Sequence, residues 1–195
     1  MTRHWLLTAF EPLSGRSENN SKLVLNEIEK LAKEASPFTL HYLTLPFEYD
    51  RCFDVLDAEV ARLKKSGVFL EGILSIGEGA EEFKIETQAN NLDDLAEMSD
   101  NAGEKRVAQK IFKDLDKGAT LPLRFPVEIF ARIRSSKNPG FFVGNHLCAQ
   151  AARKYGEDKK APLFGFIHVP KTGQGGMFTP DVCAAVIFNS LKKIP

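Results

Sequence analysis

A histidine near the carboxyl end of an apolar run, Gly165-Phe166-Ile167-His168-Val169-Pro170, is of the right type and setting to act as a general base. Earlier in the chain, Phe141-Phe142-Val143-Gly144-Asn145-His146-Leu147-Cys148 reads as a short buried strand running into a helix. Such a junction can present a nucleophile at its turn, next to a base that removes the proton. The turn residue is Gly144, which has no side chain. The chain keeps a base and lacks the atom that base would activate.

The other reactive side chains do not fill the gap. Cys148 stands four residues beyond Gly144, displaced by about 6 Å along a helix axis at roughly 1.5 Å per residue, whereas attack needs contact. It reads as a small apolar residue on the inner helix face. Cys52 and Cys183 fall on apolar helix faces, and His146 reads as a solvent-facing residue in a first helical turn. The glycine-rich stretch Gly173-Gln174-Gly175-Gly176 lacks the Lys-Ser/Thr ending of a phosphate loop and the spacing of a dinucleotide fingerprint, so a mobile surface loop is the better reading. No CxxC pair or Cys/His cluster has metal-ligand spacing, and nothing forces Glu86, His168 and His146 into one metal site.

Elements that could position these groups alternate along the chain. Strands are expected at residues 3–10, 38–45, 69–76 and 163–169, and an irregular strand or loop at 82–91. Helices are expected at 21–35, 50–65, 126–135, 145–155 and 180–193, with a short helix or loop excursion at 104–115. In the first helix Leu23, Leu25, Ile28, Leu31 and Ala32 recur at helical spacing while Glu27, Glu29, Lys30 and Lys33 face water. Phe53, Leu56, Val60 and Leu63 form a similar stripe on the second. This alternation predicts an α/β sandwich with a mostly parallel central sheet, one domain over residues 1–195 with no repeat or linker. In open sheets of that kind the ligand site lies beyond the carboxyl ends of the strands. Phe10-Glu11-Pro12, Gly77-Glu78-Gly79, Gly144-Asn145 and His168 are all expected there.

Composition narrows the function classes. The 195 residues carry 26 basic and 26 acidic side chains, a formal net charge of zero, which argues against a nucleic-acid or anionic-membrane partner. No apolar run approaches the ~20 residues that span a bilayer, and no leader is read at the N-terminus. Three widely spaced cysteines suggest a reduced, cytoplasmic protein.

Several motifs spell a family. Phe10-Glu11-Pro12-Leu13-Ser14-Gly15 with Asn19-Asn20-Ser21 resembles the N-terminal loop of pyroglutamyl peptidase I (pyrrolidone carboxyl peptidase). Ile85-Glu86-Thr87-Gln88-Ala89-Asn90-Asn91 resembles the strand that carries that family's catalytic glutamate, and Asp100-Asn101-Ala102-Gly103 its Asp-Asn-Glu-Gly turn. Thr120-Leu121-Pro122 and the ungapped segment from Gly165 to Pro170 match two further motifs, so the resemblance covers nearly the whole chain.

What the resemblance implies is a three-layer α/β/α fold, no cofactor, frequent homo-oligomers, and a peptide or small cyclic amide as ligand. It assigns His168 as general base and Glu86 as the acid that orients it, and it puts the family's nucleophilic cysteine on Gly144. Phe10, Leu13, Asn19, Phe141, Phe142 and Val143 fall on the loops that surround the substrate's flat lactam ring, with Leu13 replacing an aromatic group. Glu97 and Thr87 replace family arginines, and Gly79-Ala80-Glu81-Glu82 stands where the family has Gly-Arg. A thiolate route is closed at residue 144, and an oxyanion would be held less well. Each residue has a plainer reading beside this one: His168 as a hydrogen-bonded core histidine, Glu86 as a strand-edge carboxylate, Phe10, Phe141 and Phe142 as core. The expectation is a family homologue without thiol peptidase activity; the alternative is a hydrolase using Cys148 or a water activated by His168.

Overall fold

The structure, a computed structural model, describes residues 3–34, 36–79, 82–171 and 176–194. In chain order the elements are β1 (His4–Phe10), α1 (Asn20–Glu34), β2 (Thr39–Leu45), α2 (Tyr49–Lys65), β3 (Leu70–Glu78), β4 (Lys84–Glu86), β5 (Gln88–Asn90), β6 (Thr120–Pro122), β7 (Arg134–Ser136), α3 (Val143–Tyr155), β8 (Leu163–Val169) and α4 (Pro180–Leu191). Among the described residues, six strands form one sheet in the order β2-β1-β3-β8-β4-β7, and β5 and β6 form a small antiparallel pair beside it. The strands β2, β1, β3 and β8 run parallel; β4 is antiparallel to β8, and β7 is parallel to β4.

Continuous apolar runs such as Leu6-Leu7-Thr8-Ala9-Phe10 suit strands that are covered on both faces. Successive side chains point to opposite faces, so Leu7, Leu74 and Ile167 pack with Val24, Ile28 and Ile187 under α1 and α4. Leu6, Ile73, Phe164 and Phe166 pack with Leu56, Leu147 and Ala151 under α2 and α3. The result is the three-layer α/β/α sandwich, and the carboxyl ends of β1, β3 and β8 open on one side of it.

Two expectations fail for related reasons. The helix expected over residues 126–135 is a single 3-10 turn at Val127–Ile129 followed by β7, which pairs Ser136 with Glu86. An apolar pattern of two turns is too short to separate a helix from a loop whose Phe130 and Ile133 dip into the core. The strand expected at residues 141–143 is a bend that leads directly into α3, with Phe141 39% exposed. Its apolar character serves aromatic packing instead: the Phe142 ring meets Phe47 and Tyr49 edge-on, with centroids 5.2 and 5.5 Å apart. The 104–115 excursion is a loop, tied by a bridge between Asp93 and Gln109.

Candidate functional site

The sheet brings His168 and Glu86 together across 82 residues of sequence. In the antiparallel β4/β8 pair, Lys84 faces His168 and Glu86 faces Phe166. Residues two apart share a face, so Glu86 is the diagonal neighbour of His168. Its Oε1 lies 2.9 Å from His168 Nδ1. The carboxylate is an acceptor, which assigns the ring proton to Nδ1 and leaves Nε2 free to accept.

Glu86 is fully buried. Burial is the largest single influence and pushes its carboxyl upward, but the hydrogen bond and charge of His168, the Ser136 hydroxyl and the Lys84 ammonium together carry it below the ordinary value. Lys84 Nζ stands 3.4 Å from Glu86 Oε1 and donates to the Asn138 carbonyl at 2.9 Å. The sequence reading missed Lys84; its place one strand alternation before Glu86 was the available signal.

Gly144 lies in the first turn of α3, over the same face. A β-carbon there would stand 3.8 Å from His168 Nε2 and 3.0 Å from Phe166 Cζ. The Phe166 ring packs edge-on against the imidazole with centroids 4.9 Å apart. Room for both rings depends on glycine in the neighbouring strand, because a β-carbon on Gly77 would come within 2.5 Å of Phe166. Asn145 fixes the helix start: its Oδ1 accepts from Asn90 N at 2.8 Å and its Nδ2 donates to the Asn90 and Leu92 carbonyls.

The N-terminal loop reaches the same end of the sheet. Phe10 is buried, 5.5 Å from Phe47 and 6.4 Å from Phe166 between ring centroids. Asn19 holds the loop together, donating from Nδ2 to the Glu11 carbonyl and accepting at Oδ1 from Ser21 N and Oγ. Leu13 is partly exposed, on a stretch that Asn101 pins by accepting from Ser14 N at 2.7 Å and donating to the Pro12 carbonyl at 3.0 Å. Val143 is buried at the first position of α3, and Phe142 caps the helix from its backbone alone.

Other candidates make no hydrogen bond with His168 among the described residues. Cys148 is fully buried, burial drives its thiol well above the ordinary range, and the nearby charge of Glu86 adds to the effect. The imidazole's hydrogen-bond partner is Glu86, not this sulfur. Burial likewise pushes the Cys183 thiol up to about 12.

His146 is not solvent-facing: only 3% exposed, it places Nδ1 2.7 Å from Asp93 Oδ2. Arg106 bonds the same carboxylate at 3.1 Å and also pairs with Asp50 and Glu104. The 91–106 loop covers the side of α3 that a two-layer packing would leave wet, which is why the helix pattern misplaced this histidine.

Glu97 is exposed, and Thr87 Oγ1 donates to the Ser136 carbonyl at 3.0 Å. Residues 80 and 81 and the glycine stretch 173–175 lie outside the described residues. Among the described residues no group of three or more His, Cys, Asp or Glu side chains is arranged to hold a metal ion, and no helix is long and apolar enough to cross a membrane.

Comparison with known proteins extends over most of the chain. A family model described as pyroglutamyl peptidase matches residues 3–185. The pyrrolidone-carboxylate peptidase of Staphylococcus haemolyticus is 32% identical over 178 residues, covering 85% of this chain and 77% of that protein. Pyrrolidone-carboxylate peptidase 1 of Caldanaerobacter subterraneus is 29% identical over 197 residues, 97% of this chain and 93% of its own length. Among solved structures, pyroglutamyl peptidase I of Bacillus amyloliquefaciens superposes with a TM-score of 0.80 at 20% identity, covering 96% of this chain and 94% of that one. Pyrrolidone carboxyl peptidase of Thermus thermophilus gives 0.76 at 22% identity, covering 97% and 100%. At these identities the structural likeness establishes the fold.

Proposed function

The chain belongs to the pyroglutamyl peptidase family, and we propose that within it this protein is a homologue that recognises pyroglutamyl or related cyclic-amide ligands without thiol peptidase chemistry. The observation that carries this reading is the pair Glu86–His168, bonded at 2.9 Å and aimed at a residue with no side chain. A cysteine at position 144 would need only one bond beyond its β-carbon to bring sulfur to Nε2, which supports the reading that Gly144 holds the place of an active relative's nucleophile. Glycine there removes acyl-enzyme formation. Cys148 does not replace it, because its thiol is buried and held protonated.

A second reading, supported by the intact dyad, is hydrolysis through a water that His168 activates. General-base assistance of that kind is worth about 10² to 10⁴ in rate. It would lack the covalent intermediate, and Glu97 and Thr87 would leave the oxyanion with less positive charge than the family's arginines give. The same reading treats residues 1–195 as one unit in the cytoplasm, its three free cysteines all buried.

A pyroglutamyl amide reporter tests the proposal. The wild-type chain should release no product, and Gly144→Cys should create turnover. Wild-type turnover abolished by a thiol-alkylating reagent would overturn it.

A further inference from the structure

We infer that Lys84 is a positioning residue for the Glu86–His168 pair: its ammonium ties the buried carboxylate to the 137–140 segment, from which the chain enters α3 and reaches position 144. The inference rests on the reading above that the pair and position 144 form the working site, and it adds the side chain that holds them in one frame.

The strand register puts the three groups on one face. In the antiparallel β4/β8 pair Lys84 stands directly opposite His168, and Glu86, two residues on, shares its side of the sheet. The Lys84 side chain is only 16% exposed, and that of Glu86 is fully buried. A buried carboxylate is costly unless a cation or hydrogen bonds compensate it. The groups that act on Glu86 are His168 from β8, Ser136 from β7 and Lys84 from β4, and Cys148 from α3, which feels its charge, is held protonated. Among the described residues, Lys84 is the one Lys or Arg within ion-pair distance of it.

The ammonium divides its roles by distance. It stands 3.4 Å from Glu86 Oε1, long for a hydrogen bond, and 2.9 Å from the Asn138 carbonyl, an ordinary one. The same Oε1 lies 2.9 Å from His168 Nδ1. Lys84 therefore acts on the carboxylate as a charge and leaves that oxygen's hydrogen bond to the imidazole, while its own N–H groups grip the segment. Two neighbours on the same stretch of chain grip it as well: Gln88 Nε2 donates to the Lys137 carbonyl at 3.2 Å, and Asn90 Nδ2 to the Gly140 carbonyl at 3.4 Å. Of these ties the one from Lys84 is the shortest, and its donor is the one that also meets the pair.

Removing the ammonium has two separable consequences. Burial, the largest influence on Glu86, pushes its carboxyl up against the hydrogen bonds and charges that hold it down, so losing one of those charges raises its affinity for a proton. Losing the tie to Asn138 loosens the approach to α3 and lets position 144 shift relative to the imidazole. A misplacement of about 1 Å between reacting groups can cost about 10² in rate.

Carbon-13 NMR of the full chain tests the charge, with the Glu86 carboxyl signal identified by its absence in Glu86→Gln. Lys84→Met should raise the proton affinity of Glu86 at least about threefold, or about half a pKa unit. Lys84→Arg, which keeps a cation and its donors, should stay within about twofold of the wild type. If Lys84→Met does not fold, Lys84→Gln gives the same comparison. The tie is tested in the Gly144→Cys background on the pyroglutamyl amide reporter. There Lys84→Met should lower kcat by about tenfold or more with KM changed less than about twofold, and Lys84→Arg should restore most of the loss. A residue that only supports the fold would lower thermal stability and move neither readout. An unshifted Glu86 titration, or an unchanged kcat, overturns the inference. If Gly144→Cys shows no turnover, the reading of position 144 as the nucleophile's place falls, and the Glu86 titration decides this inference alone.

Discussion

His168 Nε2 lies 3.8 Å from the point where a β-carbon on Gly144 would stand, and its other ring nitrogen is held by Glu86 at 2.9 Å. The base is therefore oriented toward a position that carries no side chain. Local strain does not explain the glycine, because Gly144 sits in an ordinary helical turn with no positive φ. Any L-residue could adopt that backbone, and only the Phe166 ring at 3.0 Å limits what fits.

Replacing Gly144 by Cys should therefore fold and gain turnover on a pyroglutamyl amide, with the Phe166 ring yielding by a few tenths of an ångström. In that background His168→Ala should lower kcat/KM by about 10² to 10⁴, the usual worth of a positioned general base. Steady-state kinetics on the single and double variants check both steps.

Cys148 should resist alkylation in the native protein, since the thiolate is the reactive form and burial suppresses it. Labelling should appear only once denaturant exposes the helix. In the Gly144→Cys background, Cys148→Ala should leave reporter turnover in place while lowering stability by about 1 kcal/mol through lost packing. Mass spectrometry after timed labelling distinguishes the two cysteines.

Glu86 gives a pH signature. Its folded-state value lies below the ordinary 4.5, so the folded protein holds that proton less tightly than the unfolded chain. The resulting stability is present above pH 4.5 and is lost as the pH falls through the lower folded value. Glu86→Gln should flatten that part of the acid limb and cost about 1 to 3 kcal/mol at neutral pH, because His168 loses a charged partner. Denaturant midpoints of both proteins across the acid range provide the comparison.

His41 should act in a different window. Burial first, and then the charge of His4, whose Nδ1 is 3.1 Å from His41 Nε2, hold it below the ordinary 6.5. The fold prefers the neutral ring, so the unfolded chain takes up the proton first, and stability is lost as the pH falls below 6.5 toward the folded value. Thermal melts of His41→Gln should lack this step while keeping the deeper acid limb of Glu86.

Arg106→Ala should be the most destabilising of these changes. It removes one cation from Asp50, Asp93 and Glu104 and leaves the fully buried Asp93 with His146 alone. Breaking a buried pair from one side costs about 3 to 5 kcal/mol. Urea unfolding measures it, and a loss below about 1 kcal/mol would show that His146 alone satisfies the carboxylate.

The sequence by itself determined the alternation of strands and helices, because a period of two or of 3.6 is written in neighbouring residues and reports which faces are buried. It also singled out Glu86, His168 and Gly144, through motifs that lie within short segments. It could not decide residues 126–135 or 141–143, where a few apolar positions fit several backbones equally well, nor the burial of His146, which depends on a loop some forty residues away in the chain. It took the tertiary pairing to bring Glu86 to His168 and to turn the imidazole toward Gly144. Those contacts follow from β4 entering antiparallel beside β8 and from α3 crossing above them, and pairing between distant segments leaves no periodic trace in either one.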